Sequence, residues 1–197
     1  MKHPGLINKS AADQPDSFEW TKESLDKINT IIKRYPLNKQ QSAVLPLLDL
    51  AQRQNEGWLP QKAIEKVAET LKMSFIRVME VATFYSMFNL EPIGKNFIQI
   101  CRTTPCWLRG SEKLKKTAKD VTGCNIGETS SDNLFTLVEV ECLGACCNAP
   151  VVQINDDYFE DLNEDIFKRL LINLKDDKEI SKGSQIGRLS SNPEREN

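Results

Sequence analysis

Apolar positions recur at helical spacing through the first half of the chain and shift to a shorter period after residue 92. Between Thr21 and Tyr35 the residues Leu25, Ile28, Ile31 and Ile32 form one stripe, and Pro36 ends the element. Residues 40–54 place Val44, Leu47, Leu48 and Ala51 on a second stripe. Pro46 is tolerable only in a first turn, so this helix is expected to start late. After Gly57 and Pro60 a third helix carries Ile64, Val67, Ala68 and Leu71. A fourth is predicted from Ser74, a capping residue, to Met87. Helices of this kind pack into a small bundle, with their stripes as its core.

Beyond Glu91-Pro92-Ile93-Gly94 the segment Asn96–Cys101 reads as a strand, residues 108–121 as a polar helix and Leu134–Cys142 as a β-branched strand. Val151–Ile154 and Tyr158–Phe159 flank Asn155-Asp156-Asp157 and read as a hairpin. Asn163 can cap a last helix through Leu174, with Ile166, Leu170, Leu171 and Leu174 on one face. The first strand, helix and strand form a βαβ unit, which makes its strands parallel. The chain therefore divides into a flexible arm (1–18), a helical bundle (19–90), an α/β domain (91–175) and a polar tail (176–197). Alone, the tail cannot bury enough area to order.

Composition narrows the partners. The chain of 197 residues has 26 Lys+Arg against 28 Asp+Glu, a formal charge of −2, which argues against nucleic acid. No apolar run reaches the ~20 residues of a membrane span, and the N-terminus lacks the apolar core of a secretory signal. Asp13, Asp16 and Glu19 also make it a poor organelle presequence. A reducing compartment is expected, where structural disulfides are rare, and six cysteines need another explanation. Six buried apolar thiols would be the plain one.

Their placement favours chemistry. Cys101 ends the first strand and Cys106 follows at C-x4-C; Cys142 ends the second and Cys146 follows at C-x3-C. Parallel neighbouring strands send both loops out at one sheet edge, where open α/β sheets place ligands. Thr103, Thr104, Gly144 and Ala145 are small enough to let backbone N–H groups approach sulfur, and Pro105 and Pro150 stiffen the loops. The lone histidine, His3, lies far off in the arm. Four thiolates fit a tetrahedral zinc or a [2Fe–2S] cluster, and the longer gaps favour the larger, two-centre group. A thiol–disulfide enzyme would want C-x-x-C, which is absent.

The segments CRTTPCWLRG, ECLGACCNAPVVQIND, VATFYSMFNLEPIGK and AVLPLLDLAQRQNEGWLP resemble the 24 kDa subunit family of respiratory complex I, the NADH–quinone oxidoreductase. The likeness runs from about residue 18 to 190. It implies an N-terminal helical bundle followed by a thioredoxin-like domain with a four-stranded mixed sheet. It implies one [2Fe–2S] cluster on Cys101, Cys106, Cys142 and Cys146. It also implies an electron-transfer subunit of an oxidoreductase, with no complete active site on this chain. The glycines have no G-x-G-x-x-G order, so FMN and NADH are expected on a partner. The implied partners are the flavin/NADH-binding subunit and a neighbouring iron–sulfur subunit. The implied place is the cytoplasmic side of the bacterial inner membrane, or else the mitochondrial matrix side. The corresponding subunit of an NAD-linked formate dehydrogenase or hydrogenase, a stand-alone ferredoxin and a zinc-stabilised module are the rival readings.

Cys147 departs from the family, where an apolar residue is common, and Cys142 to Cys147 is itself C-x4-C. The resemblance favours Cys146 as ligand, with Cys147 a buried small residue; Cys124 reads as structural. Glu139 and Glu141 lead into Cys142 and could lower a cluster's potential, or be merely solvated. Arg102, Trp107 and Arg109 flank the first cysteine loop as candidate docking residues, with Trp107 alternatively a lid over the cluster. Pro150 is a candidate cis-proline.

Overall fold

A computed structural model describes residues 10–189, which divide between two compact units at Pro92 and Ile93. The first unit is helical. Helix α1 (Lys22–Ile32) begins at Thr21, whose hydroxyl accepts from the Ser24 N–H at 3.2 Å, a cap that stabilises the helix by ~1 kcal/mol. Helix α2 (Val44–Gln54) starts late, as Pro46 requires, after a 3-10 turn at Gln40–Ala43. Helix α3 spans Gln61–Leu71 and α4 spans Phe75–Phe84. The predicted stripes form the core: Leu47, Leu48, Ile64, Val67 and Val78 are buried together. Helix α4 stops at Phe84, short of Met87, and Ser74 occupies its cap position without a side-chain hydrogen bond. Residues 1–9 of the expected arm lie outside the described residues. Residues 10–18 are held to the helices: the Ala11 N–H donates to the Leu90 carbonyl (3.0 Å) and Gln14 Oε1 accepts from the Gln61 N–H (2.8 Å).

The second unit is built on a mixed sheet. Strand β1 (Asn96–Cys101) pairs in parallel with β2 (Phe135–Val140), Ile98 opposite Leu137 and Cys101 opposite Val140. Strands β3 (Val152–Ile154) and β4 (Asp157–Glu160) form the predicted hairpin, and β3 runs antiparallel to β1. The crossover between β1 and β2 is two helices, where periodicity predicts one. Helix α5 (Thr104–Leu108) stops at Gly110, whose φ of 101° no continuing helix tolerates, and α6 (Ser111–Thr122) begins there. Helix α7 (Glu164–Lys175) is capped by Asn163, whose Oδ1 accepts from the Ile166 N–H at 2.9 Å.

Period-2 burial sets the layers. Ile98, Ile100 and Leu137 pack with Leu114 and Ala118 of α6 and Phe167 and Leu171 of α7. On the opposite face Phe97, Val138 and Val140 cluster with Ile93 and Leu143. Among the described residues the sheet has five strands, in the order β2-β1-β3-β4-β5, rather than four. The addition is β5 (Gly183–Ser184), which pairs in parallel with β4. Part of the tail expected to be disordered is therefore sheet, because β4 offers it an open edge.

Candidate metal centre

Register decides where the thiols meet. With Cys101 opposite Val140, β1 and β2 end side by side, and both cysteine loops leave at the same edge. The Arg102 N–H donates to the Val140 carbonyl (3.1 Å) and the Cys101 N–H to the Val151 carbonyl (3.3 Å), so the sheet is hydrogen-bonded up to the loops. Cys101 and Cys106 are both buried, packed with Ala145, Ala149 and Val151 and bordered by Leu143 and Tyr158. Cys142 and Cys146 are exposed, their sulfurs 3.3 Å apart.

Cys142 and Cys146 form a close thiol pair, and Cys101 and Cys106 act on each other's protonation. Cys101 is pulled down to about 5, first by the hydrogen bond from Cys106 and against the opposing effect of burial, with further help from Thr103. Cys106 is correspondingly pushed up, by that same bond and by burial. Cys142 is lowered by the backbone N–H of Gly144 and by Cys146, and Cys146 is raised by its bond to Cys142. Charges on Cys101 and Cys146 also act across the gap between pairs, on Cys142 and Cys106.

Donors surround these sulfurs. The Gly144 N–H lies 3.4 Å from Cys142 Sγ, and the Thr103 hydroxyl lies 3.3 Å from Cys101 Sγ. Backbone N–H groups of Thr103 and Leu143 help hold the Cys101 thiol down, and that of Val151 opposes the rise at Cys106. The small residues therefore do what their size allows. Among the described residues no three His, Cys, Asp or Glu side chains gather tightly enough for a single metal ion. An all-sulfur donor set in two pairs fits a two-iron centre better than one tetrahedral zinc.

Neighbouring residues depart from expectation in three ways. Cys147 is exposed, not buried, because it sits on a 3-10 turn (Cys146–Asn148) at the surface. Trp107 is 57 % exposed and Leu108 is exposed beside it, which rules out a buried lid. Glu139 is paired with Lys115 at 2.6 Å, and Glu141 faces Arg102 at 3.7 Å, so neither is a lone negative charge. Cys124 is buried in the α6–α7 side of the core, its sulfur 3.2 Å from the Thr122 hydroxyl, as a structural residue should be. The Ala149–Pro150 peptide is cis.

Two contributors carry no sequence signal. The Tyr158 hydroxyl donates to the Leu143 carbonyl at 2.6 Å and ties down the second cysteine loop. Burial, with the thiols of Cys142 and Cys101 nearby, pushes that phenol up. Asn148 is buried beside the same loop, and its Nδ2 donates to Glu160 Oε2 at 2.6 Å. Both roles depend on partners distant in sequence.

Residues 28–175 match the thioredoxin-like [2Fe-2S] ferredoxin family. An NADH-quinone oxidoreductase subunit of Rickettsia bellii (strain RML369-C) is 56 % identical over 161 residues, 82 % of this chain and 96 % of that protein. The NADH dehydrogenase [ubiquinone] flavoprotein 2, mitochondrial, of Dictyostelium discoideum is 51 % identical over 174 residues, 88 % of this chain and 70 % of that protein. Among solved structures, an NAD+-reducing [NiFe]-hydrogenase in the air-oxidized state superposes with a TM-score of 0.61 at 17 % identity. That match covers 68 % of this chain and 23 % of the hydrogenase chain, and at this identity it speaks for the fold alone.

Proposed function

For a chain that belongs to the thioredoxin-like [2Fe-2S] ferredoxin family, we propose the role of electron-transfer subunit of an NADH–quinone oxidoreductase. The carrying observation is the meeting of two thiol pairs at the exits of adjacent parallel strands. The ligands are Cys101, Cys106, Cys142 and Cys146. When bound, a [2Fe–2S] cluster supplies one-electron storage and transfer without bond chemistry.

The chain's own residues divide the work by burial. Cys101 and Cys106 hold the inner side, where Ala149 and Val151 exclude water. Cys142 and Cys146 hold the exposed side, the side open to a redox partner. The N–H of Gly144 and the hydroxyl of Thr103 stabilise negative charge on sulfur, which favours the more reduced, more negative state. Trp107 and Leu108 lie exposed beside the first ligand loop and supply apolar contact area for a partner. That partner is the flavin-bearing, NADH-binding subunit, with a second iron–sulfur subunit nearby. Among the described residues no helix is long and apolar enough to cross a membrane. The kinship to respiratory oxidoreductase subunits supports attachment through the complex, on the cytoplasmic face of a bacterial inner membrane.

Purified chain should be red-brown, contain two irons, and give a rhombic EPR signal after dithionite reduction. Serine at any one of the four ligand positions should abolish or transform that signal. A colourless protein with stoichiometric zinc would refute the cluster, and failure to co-purify with a flavin subunit from the native host would refute the complex.

A further inference from the structure

We propose that the C-terminal segment, acting through Arg188, is a strap that assigns ligation to Cys146 rather than to its neighbour Cys147, an inference that rests on the cluster reading above. The two cysteines are adjacent and both exposed on one 3-10 turn, Cys146–Asn148. Side chains on such a turn are about 120° apart, so exchanging the thiol that faces Cys142 takes a rotation of the turn by about that angle. The rotation seen puts Cys146 Sγ 3.3 Å from Cys142 Sγ.

What fixes the rotation comes from far along the chain. Arg188 Nη2 donates to the Cys147 carbonyl at 2.9 Å and to Asn148 Oδ1 at 2.7 Å. The guanidinium is itself held by the buried Asp161, through Nη2 and through Nε at 3.2 Å. The Asp161 N–H donates to the Asn148 carbonyl at 2.7 Å, so the turn is gripped from the end of β4 as well. Asn148 Nδ2 donates to the Leu189 carbonyl at 2.8 Å, which closes the strap over the turn. A planar guanidinium can serve these acceptors together, and a lysine ammonium cannot do so with the same rigidity. The Arg188 side chain is 49 % exposed, so replacing it opens no cavity in the core. Arg188 is a positioning residue: it touches the turn that presents the ligand, not the cluster.

The test uses the full chain, loaded with iron and sulfide, as wild type, Arg188→Gln and Arg188→Lys, each with and without Cys147→Ser. EPR of the reduced protein, iron content and midpoint potential are recorded. Wild type and Cys147→Ser should share one spectrum and one potential. Arg188→Gln should keep its iron but give two overlapping signals, and adding Cys147→Ser should collapse them to one. Arg188→Lys should fall between. An Arg188→Gln spectrum identical to wild type overturns the strap, as does a second signal that persists in the double variant. If Arg188→Gln does not accumulate as folded protein, the Arg188→Lys pair carries the same two outcomes. Wild type without iron overturns the cluster reading and the strap together; a normal wild-type cluster with an unmoved Arg188→Gln overturns the strap alone.

Discussion

Gly94 lies where the chain enters β1, and a methyl group there has nowhere to go. A Cβ built on it falls 2.8 Å from both the backbone nitrogen and the carbonyl carbon of Phe135, and 3.0 Å from the Asn133 carbonyl oxygen. Those are backbone atoms of β2 and its approach, so relief requires moving the strand rather than a side chain. The Gly94 N–H also donates to Thr136 Oγ1 at 2.7 Å, and that hydroxyl in turn meets Thr129 Oγ1 at 2.8 Å. Overpacking against a rigid wall costs about 1–3 kcal/mol, and a buried hydrogen bond contributes ~1 kcal/mol more. Gly94→Ala should therefore destabilise the sheet unit by about 2–4 kcal/mol. For a unit of this size that lowers Tm by roughly 10–25 °C, followed by circular dichroism and by loss of the cluster's visible absorbance. Gly123→Ala is the control: φ there is 75° but nothing lies within 4 Å of the added carbon. It should cost only the ~1–2 kcal/mol of a left-handed alanine. An unchanged Tm in Gly94→Ala, or a larger loss in Gly123→Ala, would refute the crowding argument.

Burial would raise the Asp161 carboxyl, but hydrogen bonds from Arg188 and Ser184 outweigh it and hold it below the ordinary value of 3.8. A depressed folded pKa means the contribution is present above 3.8 and lost as pH falls further. Urea midpoints of wild type and Asp161→Asn should therefore differ above a pH of about 4 and converge below it; a constant gap would count against the linkage. Glu141→Gln leaves Arg102 without its carboxylate at the ends of the two cysteine-bearing strands and should raise the midpoint potential by tens of millivolts. Glu139→Gln should shift it less, since Lys115 keeps its ion pair with Glu112; redox titration of both variants orders the effects. Trp107→Ala removes an exposed side chain, so Tm should move by no more than a few degrees while retention by the proposed flavin subunit falls. Equal retention would move the docking face elsewhere.

Local pattern is legible where one physical preference dominates. Asn96–Cys101 is a strand over the span its β-branched and aromatic residues predict, and Asn163 caps α7 through the acceptor it is expected to supply. Pro46 sets the late start of α2 because a missing N–H is harmless only in a first turn. The crossover defeats the same reasoning. Gly110 adopts a left-handed conformation that composition alone does not announce, and it separates the predicted helix, which starts at Ser111, from an unpredicted one at Thr104–Leu108. Cys147 is exposed for a related reason: its neighbours look like core, but a 3-10 turn directs it outward.

The sequence by itself determined the order of elements and, through β1 and β2 as consecutive parallel strands, the single edge at which four cysteines come together. These are consequences of hydrophobic period and of chain topology, which are written in neighbouring residues. Tertiary structure alone decided which thiol pair is buried and that Glu139 and Glu141 have cationic partners. It also turned residues 183–189 into a fifth strand and a clamp on the second cysteine loop. Those outcomes rest on hydrogen bonds and ion pairs between groups some tens of residues apart. Their energy exists only once the sheet has brought the partners within about 3 Å of each other, a distance no local pattern encodes.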